Sequence, residues 1–463
     1  MLVFLVLADR RGEVVNRSQF FEEIWSGVPV GDDSLNRSIG QVRKALQSAI
    51  PGQFTLETIP RTGYSLAIED GRSAQPRDDR WDRRSWLLAG SATLAAAAGA
   101  IFFVRRKDSS SEASEFKERG RQIIRAAIPR EEDTAVNLLS RAVELSPRDP
   151  EAWGLLALAY RGRVENGSPD IVTLASRECE RAAGRALDLD PKEGNALTAL
   201  AAMAPEYGNW LENERALRRV LAKAPDNVPA LNFLTLLLQG VGRCEASFDL
   251  NERALKLDPR DSTPLWRLAM KNWIFGQPEK ADQVLTRALE MWPHHPAIWN
   301  TRLMTFAYTG RPREALEYIR SRPKPLGRSE RSIRLWEMTL TALATSDATV
   351  RNKARDELIE EGARSTGQST HAVMALSGLG FIDDAFHVAE GYFGLRGKFV
   401  VAQKKTLNEV QINDNGWKRT MMLFTPVTRP MRLDPRFDGL MKLTGIADYW
   451  KASNIAPDAF LFR

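Results

Sequence analysis

A recurring beat of 34 residues constrains this chain more than any other feature. Five segments read alike: RAVELSP ending at Pro147, RALDLDP at Pro191, RVLAKAP at Pro225, RALKLDP at Pro259 and RALEMWP at Pro293. The last four prolines are 34 residues apart. The first interval is 44, and its extra ten residues fall around RVENGSPDIVT, a polar insertion near 163–173. Glycines keep the same beat at Gly208, Gly242, Gly276 and Gly310. About sixteen residues separate each glycine from the next proline, enough for one helix of roughly four turns, and the stretch from proline to glycine holds a second. Glycine suits the tight turn between helices because it accepts positive φ. Proline stops the second helix because it lacks an N–H and clashes with the preceding turn.

Two markers in phase over four periods resemble the tetratricopeptide repeat, a stack of helix pairs forming an α-solenoid. Ala142, Ala186, Ala254 and Ala288 are small enough for neighbouring helices to approach closely. Trp153, Leu197, Leu231, Leu265 and Trp299, each six residues after its proline, are expected to fill the stack as core. Arg141, Arg185, Arg219, Arg253 and Arg287, each six before its proline, read as solvated side chains near helix C-termini. Cys179 and Cys244 fall on second helices two repeats apart, roughly 20 Å by helix packing, so no intrachain disulfide is expected and each thiol reads as a half-buried apolar group.

The beat fades after Gly310, although RPREALEYI over 311–319 still reads as a helix. Residues 429–460, RPMRLDPRFDGLMKLTGIADYWKASNIAPDAF, resemble the closing segment of bacterial repeat proteins and are expected to cap the open end of the stack. Two cysteines without a CxxC and four scattered histidines argue against a metal centre, and no cofactor is implied. No P-loop, GxGxxG, GxSxG or HExxH is present, which lowers the expectation of an enzyme. The formal net charge of +6 points only weakly to an anionic partner, so its distribution matters more.

Residues 86–104, WLLAGSATLAAAAGAIFFV, carry no charge over 19 positions. As a helix they would extend about 28 Å, close to the roughly 30 Å hydrocarbon core of a bilayer. Seven alanines also allow a buried soluble helix, but Arg83 and Arg84 before it and Arg105, Arg106 and Lys107 after it favour a single transmembrane span. Five Lys/Arg precede the span and six follow within twenty residues, so charge alone does not orient it.

Residues 1–66 read as short helices and a hairpin. Asn16 and Gln19 form a capping box before Phe20, Phe21 and Ile24. After the loop SGVPVGDD, the helix SLNRSIGQVRKAL sets Leu35, Ile39, Val42 and Leu46 on one face and Arg37, Gln41 and Lys44 on the other. FTLETI and YSLAI then flank PRTG as two strands and a turn. VGDDSLNRSIGQVRKAL and LETIPRTGYSL resemble the recognition helix and wing of the OmpR/PhoB-type winged helix-turn-helix, and most closely the ToxR/CadC-like membrane-anchored regulators. The resemblance implies that residues 34–46 enter the major groove of double-stranded DNA. Arg37, Gln41 and Lys44 would then face DNA, with Ser34, Asn36 and Arg43 at the margins and Arg61 and Thr62 on the wing. Three basic and no acidic residues over 35–46 suit phosphate, although residues 1–71 as a whole hold seven Lys/Arg against nine Asp/Glu. The family places a small strand region before its first helix, whereas this chain starts within that helix, MLVFLVLADRRGE. Either the start codon is misassigned or the fold is truncated, and truncation would expose Leu2, Phe4 and Leu5 and weaken or abolish DNA binding.

The expected fold is therefore mainly α: a truncated winged helix-turn-helix, one transmembrane helix and a TPR-type α-solenoid. The boundaries are 1–70 for the DNA-binding domain, 71–85 for a linker, 86–104 for the span, 116–320 for the repeats, and 321–463 for degenerate repeats and the cap. The expected function is a non-enzymatic, one-component membrane-bound transcriptional regulator of the bacterial inner membrane. Its N-terminus would be cytoplasmic, and its repeats would sense a protein, peptide or small ligand on their concave surface in the periplasm. Small residues in the span, in the loose pattern Gly90, Leu94, Ala98, allow helix association and a homodimer. The competing expectation is a membrane-anchored repeat scaffold with a non-functional winged-helix remnant.

Overall fold

The computed structural model describes, before residue 110, residues 3, 6–7, 10, 13–20, 35–36, 38–40, 42–43, 54–59 and 62–68. From 110 it describes the chain to 463 except 129–130, 168, 322–324, 326–328 and 400–417. The chain forms two units, Met1–Asp108 and Ser109–Arg463.

In the first unit three antiparallel strands, β1 (Val15–Asn16), β2 (Phe54–Ile59) and β3 (Gly63–Ile68), lie in the order β1-β3-β2. Leu56 pairs with Leu66 and Ile59 with Gly63, closing the expected hairpin, and the Thr62 amide donates to the Ile59 carbonyl across the turn. Leu56, Tyr64 and Leu66 share one face of the hairpin and are buried, while Glu57 on the other face is exposed. Glycine is required at 63, where a Cβ would lie 1.9 Å from the Val15 carbonyl oxygen of β1. Helical residues Leu35, Ile39 and Val42 bury their expected face against this sheet, with Val3, Leu7, Val15 and Phe20. The capping box forms reciprocally: the Asn16 amide donates to Gln19 Oε1 and the Gln19 amide to Asn16 Oδ1, both at 2.9 Å. Leu2, Phe4, Leu5 and Leu46 lie outside the described residues.

The second unit is a TPR-like α-solenoid of eight helix pairs among the described residues. The first pair is α1 (residues 110–126) with α2 (Glu132–Leu145). Then come α3 (Pro150–Asn166) with α4 (Pro169–Leu189), α5 (Gly194–Ala201) with α6 (Trp210–Lys223), and α7 (Val228–Gly240) with α8 (Cys244–Leu257). These are followed by α9 (Ser262–Ile274) with α10 (Pro278–Met291) and α11 (Pro296–Tyr308) with α12 (Pro312–Ser321). The last two are α13 (Glu330–Leu343) with α14 (Ala348–Gly362) and α15 (Thr366–Gly378) with α16 (Ile382–Gly394).

Each of the five second helices ends two residues before its proline, and Gly208, Gly242, Gly276 and Gly310 turn at φ of 80°, 79°, 71° and 79°. The beat outlasts its sequence markers, for Gly380 makes the same turn at φ 85° between α15 and α16. The polar insertion near 163–173 is not a long loop; its residues lengthen α3 and α4 to 17 and 21 residues. The alanines at 142, 186, 254 and 288 are fully buried and the five recurring arginines are exposed. Of the stacking positions, Leu231, Leu265 and Trp299 are buried, while Trp153 and Leu197 are half-buried. Cys179 and Cys244 are free thiols, wholly and not half buried, and burial pushes both up to about 12.

The residue two after each proline has a second duty. Asp149, Glu193, Asn227, Asp261 and His295 each cap the next helix, the side chain accepting from backbone amides two or three residues on.

Residues 418–463 do more than close an end. α17 (Arg429–Arg432) and α18 (Arg436–Leu443) pack on α16, but the same segment runs back onto the early repeats. Trp210 Nε1 donates to the Thr444 carbonyl at 2.9 Å, Trp450 Nε1 to the Val241 carbonyl at 2.8 Å, and Thr420 Oγ1 to the Gly240 carbonyl at 2.6 Å. The Asp458 amide donates to the Gly242 carbonyl at 2.9 Å. Gly242 is therefore held twice, by its positive φ and by this contact, since a Cβ there would meet Phe424 at 2.8 Å and Pro457 at 3.1 Å. Gly276 has the same φ and open space around it. Gly276→Ala should cost about 1 kcal/mol, the penalty of a left-handed residue. Gly242→Ala should cost about 2–4 kcal/mol, because it also displaces the returning segment. Equilibrium denaturation of the two variants measures the difference, and equal costs would contradict this docking.

Candidate functional site

The chemistry of the first unit gathers around Tyr64, on the buried face of β3. Its hydroxyl donates to Asn36 Oδ1 at 3.0 Å and accepts from Arg17 Nη2 at 3.3 Å, and its ring meets Phe20 edge-on. This fixes the first turn of the helix that carries residues 35–43 against the wing. Further along the helix, Arg43 Nη2 donates to the Leu56 carbonyl at 3.2 Å and to Thr58 Oγ1 at 2.6 Å. Asn36 and Arg43 thus brace the helical residues against the hairpin at two points, which keeps both heads toward the sheet. Thr62 sits exposed at the tip of the wing. Ser34, Arg37, Gln41, Lys44 and Arg61, the remaining expected contacts to DNA, lie outside the described residues. So does the expected span at 86–104. Among the described residues no helix is long and apolar enough to cross a membrane.

The second unit encloses a cavity of about 1070 Å³, lined largely by first helices of successive pairs. One wall carries a buried ionic network. Arg161 of α3 is bonded to Glu165 and to the Ala202 carbonyl, and its guanidinium lies 4.3 Å from the Phe233 ring centre. Arg419, from the returning segment, joins Glu165 to Glu206, the latter at 3.0 Å. Burial raises Glu165, but Arg161 and Arg419 outweigh it and hold its carboxyl below the ordinary range. For Glu206 burial wins over Arg419, and the carboxyl is raised. Low dielectric strengthens each pair and makes an unpaired member costly.

Another part of the lining is the end of α1. Its N-terminal half is anchored locally, with Lys117 Nζ 2.7 Å from Asp149 and 3.0 Å from Glu151. Its last turn reaches much further along the sequence. Arg125 pairs with Asp258 at 2.6 Å, and the Ala126 carbonyl accepts from Ser262 Oγ at 2.9 Å and His295 Nε2 at 2.6 Å. His295 Nδ1 accepts the Ala297 and Ile298 amides, so the ring proton is on Nε2 and points at Ala126. Burial, opposed by that bond, lowers the His295 pKa and keeps the ring neutral. The first helix thus closes onto the starts of the fifth and sixth first-helices, α9 and α11, and Ile123, Ile124 and Ala127 line the cavity.

Residues 1–66 match the family described as transcriptional regulatory protein, C terminal. The chain carries a transcriptional-regulatory DNA-binding domain. Over 66 residues the chain is 35% identical to the cholera toxin homolog transcriptional activator of Vibrio parahaemolyticus, covering 14% of this chain and 23% of that protein. Over 106 residues it is 31% identical to a TPR repeat-containing protein of Pseudomonas aeruginosa, covering 23% of this chain and 18% of that one. The chain therefore spans under a quarter of either relative. A tetratricopeptide repeat protein from Parabacteroides merdae, 12% identical, matches 63% of this chain and 99% of that structure with a TM-score of 0.33. The repeat assignment itself rests on the helix pairs and their glycine turns.

Sequence patterning did not reveal the site residues His295, Ser262 and Arg419, whose partners lie more than 100 residues away. Arg419 can be tested directly. Arg419→Met should cost about 3–5 kcal/mol at pH 7, because it leaves Glu165 and Glu206 buried with less compensation. Without Arg419 both carboxyls would titrate higher than in the wild type. The folded state would then bind protons more tightly, and the penalty would shrink as pH falls toward 4. Denaturation of variant and wild type at pH 4.5 and pH 7 should show the smaller difference at pH 4.5; a difference that grows on acidification would refute the network.

Proposed function

We propose that this protein is a one-component, membrane-bound transcriptional regulator. The winged helix binds double-stranded DNA from the cytoplasm, residues 86–104 cross the inner membrane once, and the solenoid lies in the periplasm. There its concave surface receives a protein or peptide partner or a small signal. On DNA, Arg37, Gln41 and Lys44 face the major groove, Ser34, Asn36 and Arg43 flank it, and Arg61 and Thr62 of the wing approach the minor groove or phosphate. A homodimer would present two such helices.

One observation carries the reading: the helix that opens the solenoid, α1, ends inside the cavity on Ser262 and His295. A ligand that competes for this wall displaces α1. This helix begins immediately after the segment joining the solenoid to the DNA-binding domain. Occupancy is thereby linked to the pairing or position of the DNA-binding ends through differential contact.

Two measurements test this. A reporter enzyme active only outside the cytoplasm should be active when fused after residue 110; activity confined to cytoplasmic reporters would eliminate the membrane-crossing arrangement. In mobility-shift titrations Arg37→Ala should lose about 1–3 kcal/mol and relax base preference, whereas Arg61→Ala should weaken all sequences alike and lower the salt slope by about one. A protein that shows no salt-sensitive DNA binding is instead a repeat scaffold whose winged helix is a relic.

A further inference from the structure

The sensing reading leaves open what the cavity takes, and one side chain bears on that. Arg267 of α9 lines the cavity and is only 7% exposed. Its Nη1 donates to the Asn232 carbonyl, and its Nε has no partner. Among the described residues it forms no ion pair within 4.0 Å. The other buried arginines of the solenoid differ. Arg161 is bonded to Glu165, Arg302 to Asp282, and Arg419 to two carboxylates. Arg432 is buried without a carboxylate too, but its guanidinium is bonded to the Leu461, Leu423 and Thr425 carbonyls and to Thr428 Oγ1, and Arg243 pairs with Glu214. Burial pushes Arg267 down to about 10; the nearby Arg419 guanidinium acts in the same direction, and Glu206, Asp261 and Glu165 act against it from beyond ion-pair distance. A guanidinium in this position lacks an anion, and its planar donor fork fits a carboxylate.

The surrounding wall is apolar. Arg267 lies 5.2 Å from the centre of the Trp266 ring, and Met270, Met304, Phe233 and Trp336 line the same space. Methionine and aromatic side chains adapt to an apolar body and exclude water from the ion pair beside it. The volume, about 1070 Å³, is at the upper end of the range for small-molecule sites.

Building on the sensing function, we propose that the cavity binds a small apolar carboxylic acid, free in solution, with its carboxylate on Arg267 and its apolar body against Trp266 and Met270. Such an acid supplies the missing countercharge and fills a space that also touches α1.

The test is calorimetric titration of the full-length protein with 3-phenylpropanoate, 3-phenylpropan-1-ol and the tripeptide Gly-Gly-Phe. The acid should bind at least about tenfold more tightly than the alcohol of the same shape. Arg267→Gln should weaken the acid at least tenfold and leave the alcohol unchanged, and Arg267→Lys should fall between. Thermal melting establishes that each variant is folded. Where Arg267→Gln does not fold, the acid–alcohol ratio and the lysine variant decide. Equal binding of acid and alcohol, unchanged acid affinity in folded Arg267→Gln, binding of the peptide alone, or no binding would each overturn the inference. Deleting residues 110–463 in a reporter strain tests the sensing function separately. A reporter that depends on the solenoid while no acid binds removes only this ligand assignment.

Discussion

The second unit depends on one buried cation. Arg419 holds Glu165 on α3 and Glu206 before α6, and it arrives from a segment more than 200 residues downstream. Stacked repeats normally contact only their neighbours, so stability is a sum over adjacent pairs and the solenoid is free to flex. Here that rule is broken by Arg419, by Thr420 on Gly240 and by the indoles of Trp210 and Trp450. A buried ion pair is weak evidence for stability by itself, but removing one member is costly, so the arrangement resists opening in one particular place. The early repeats are thereby tied to α16 through Lys418 and Tyr207, both of which donate to the Phe393 carbonyl. The unit behaves less as a spring than as a closed frame around its cavity.

That closure gives the cavity walls unequal strength. The Arg419 side is ionic and saturated, whereas the α1 side is held at its last turn by the Ser262 hydroxyl on the Arg125 and Ala126 carbonyls, by His295 on the Ala126 carbonyl, and by one partly exposed ion pair, Arg125 with Asp258. Exposed or half-exposed pairs contribute about 0–1 kcal/mol, and net hydrogen bonds about 0.5–1.5 kcal/mol each. The α1 end is thus the wall that yields first when something enters. Ala127, in the left-handed region at φ 48° without being glycine, adds a local cost that is relieved when this turn is released.

Much of the architecture was written locally. Proline and glycine mark helix ends and turns by backbone sterics alone, so their phase translated directly into the helix pairs up to α11 and α12, while the last two pairs carry no such phase. Asn16 and Gln19 likewise meet across a single turn. The caps two residues after each proline were equally local, yet only three of the five are Asp or Asn; Glu193 and His295 are uncommon caps and hid the pattern. The path of residues 418–463 was not legible, because it depends on the superhelix bringing distant repeats together and no spacing encodes that. Arg43 shows the remaining difficulty. Its charge sits in a basic run that suits phosphate, but its guanidinium is bonded to Leu56 and Thr58, and composition cannot separate a brace from a contact.

The two units solve the same problem with different groups. In the first, one hydroxyl ties recognition helix to wing: Tyr64 binds Asn36 and Arg17 while its ring fills the core. Apolar burial of Leu35, Ile39 and Val42 sets the helix rotation, and the polar bonds set its position along the axis, where burial alone would tolerate a slide. In the second, Tyr449 plays the comparable part, donating to Glu214 at 2.6 Å and accepting from Arg243 at 2.8 Å, across more than 200 residues. Directional bonds to a ring already locked by packing leave each frame a single register. Any change in the DNA-binding unit must therefore come from outside its frame, because its helix and wing are braced to move together. The corresponding freedom in the solenoid lies at the weakly held end of α1.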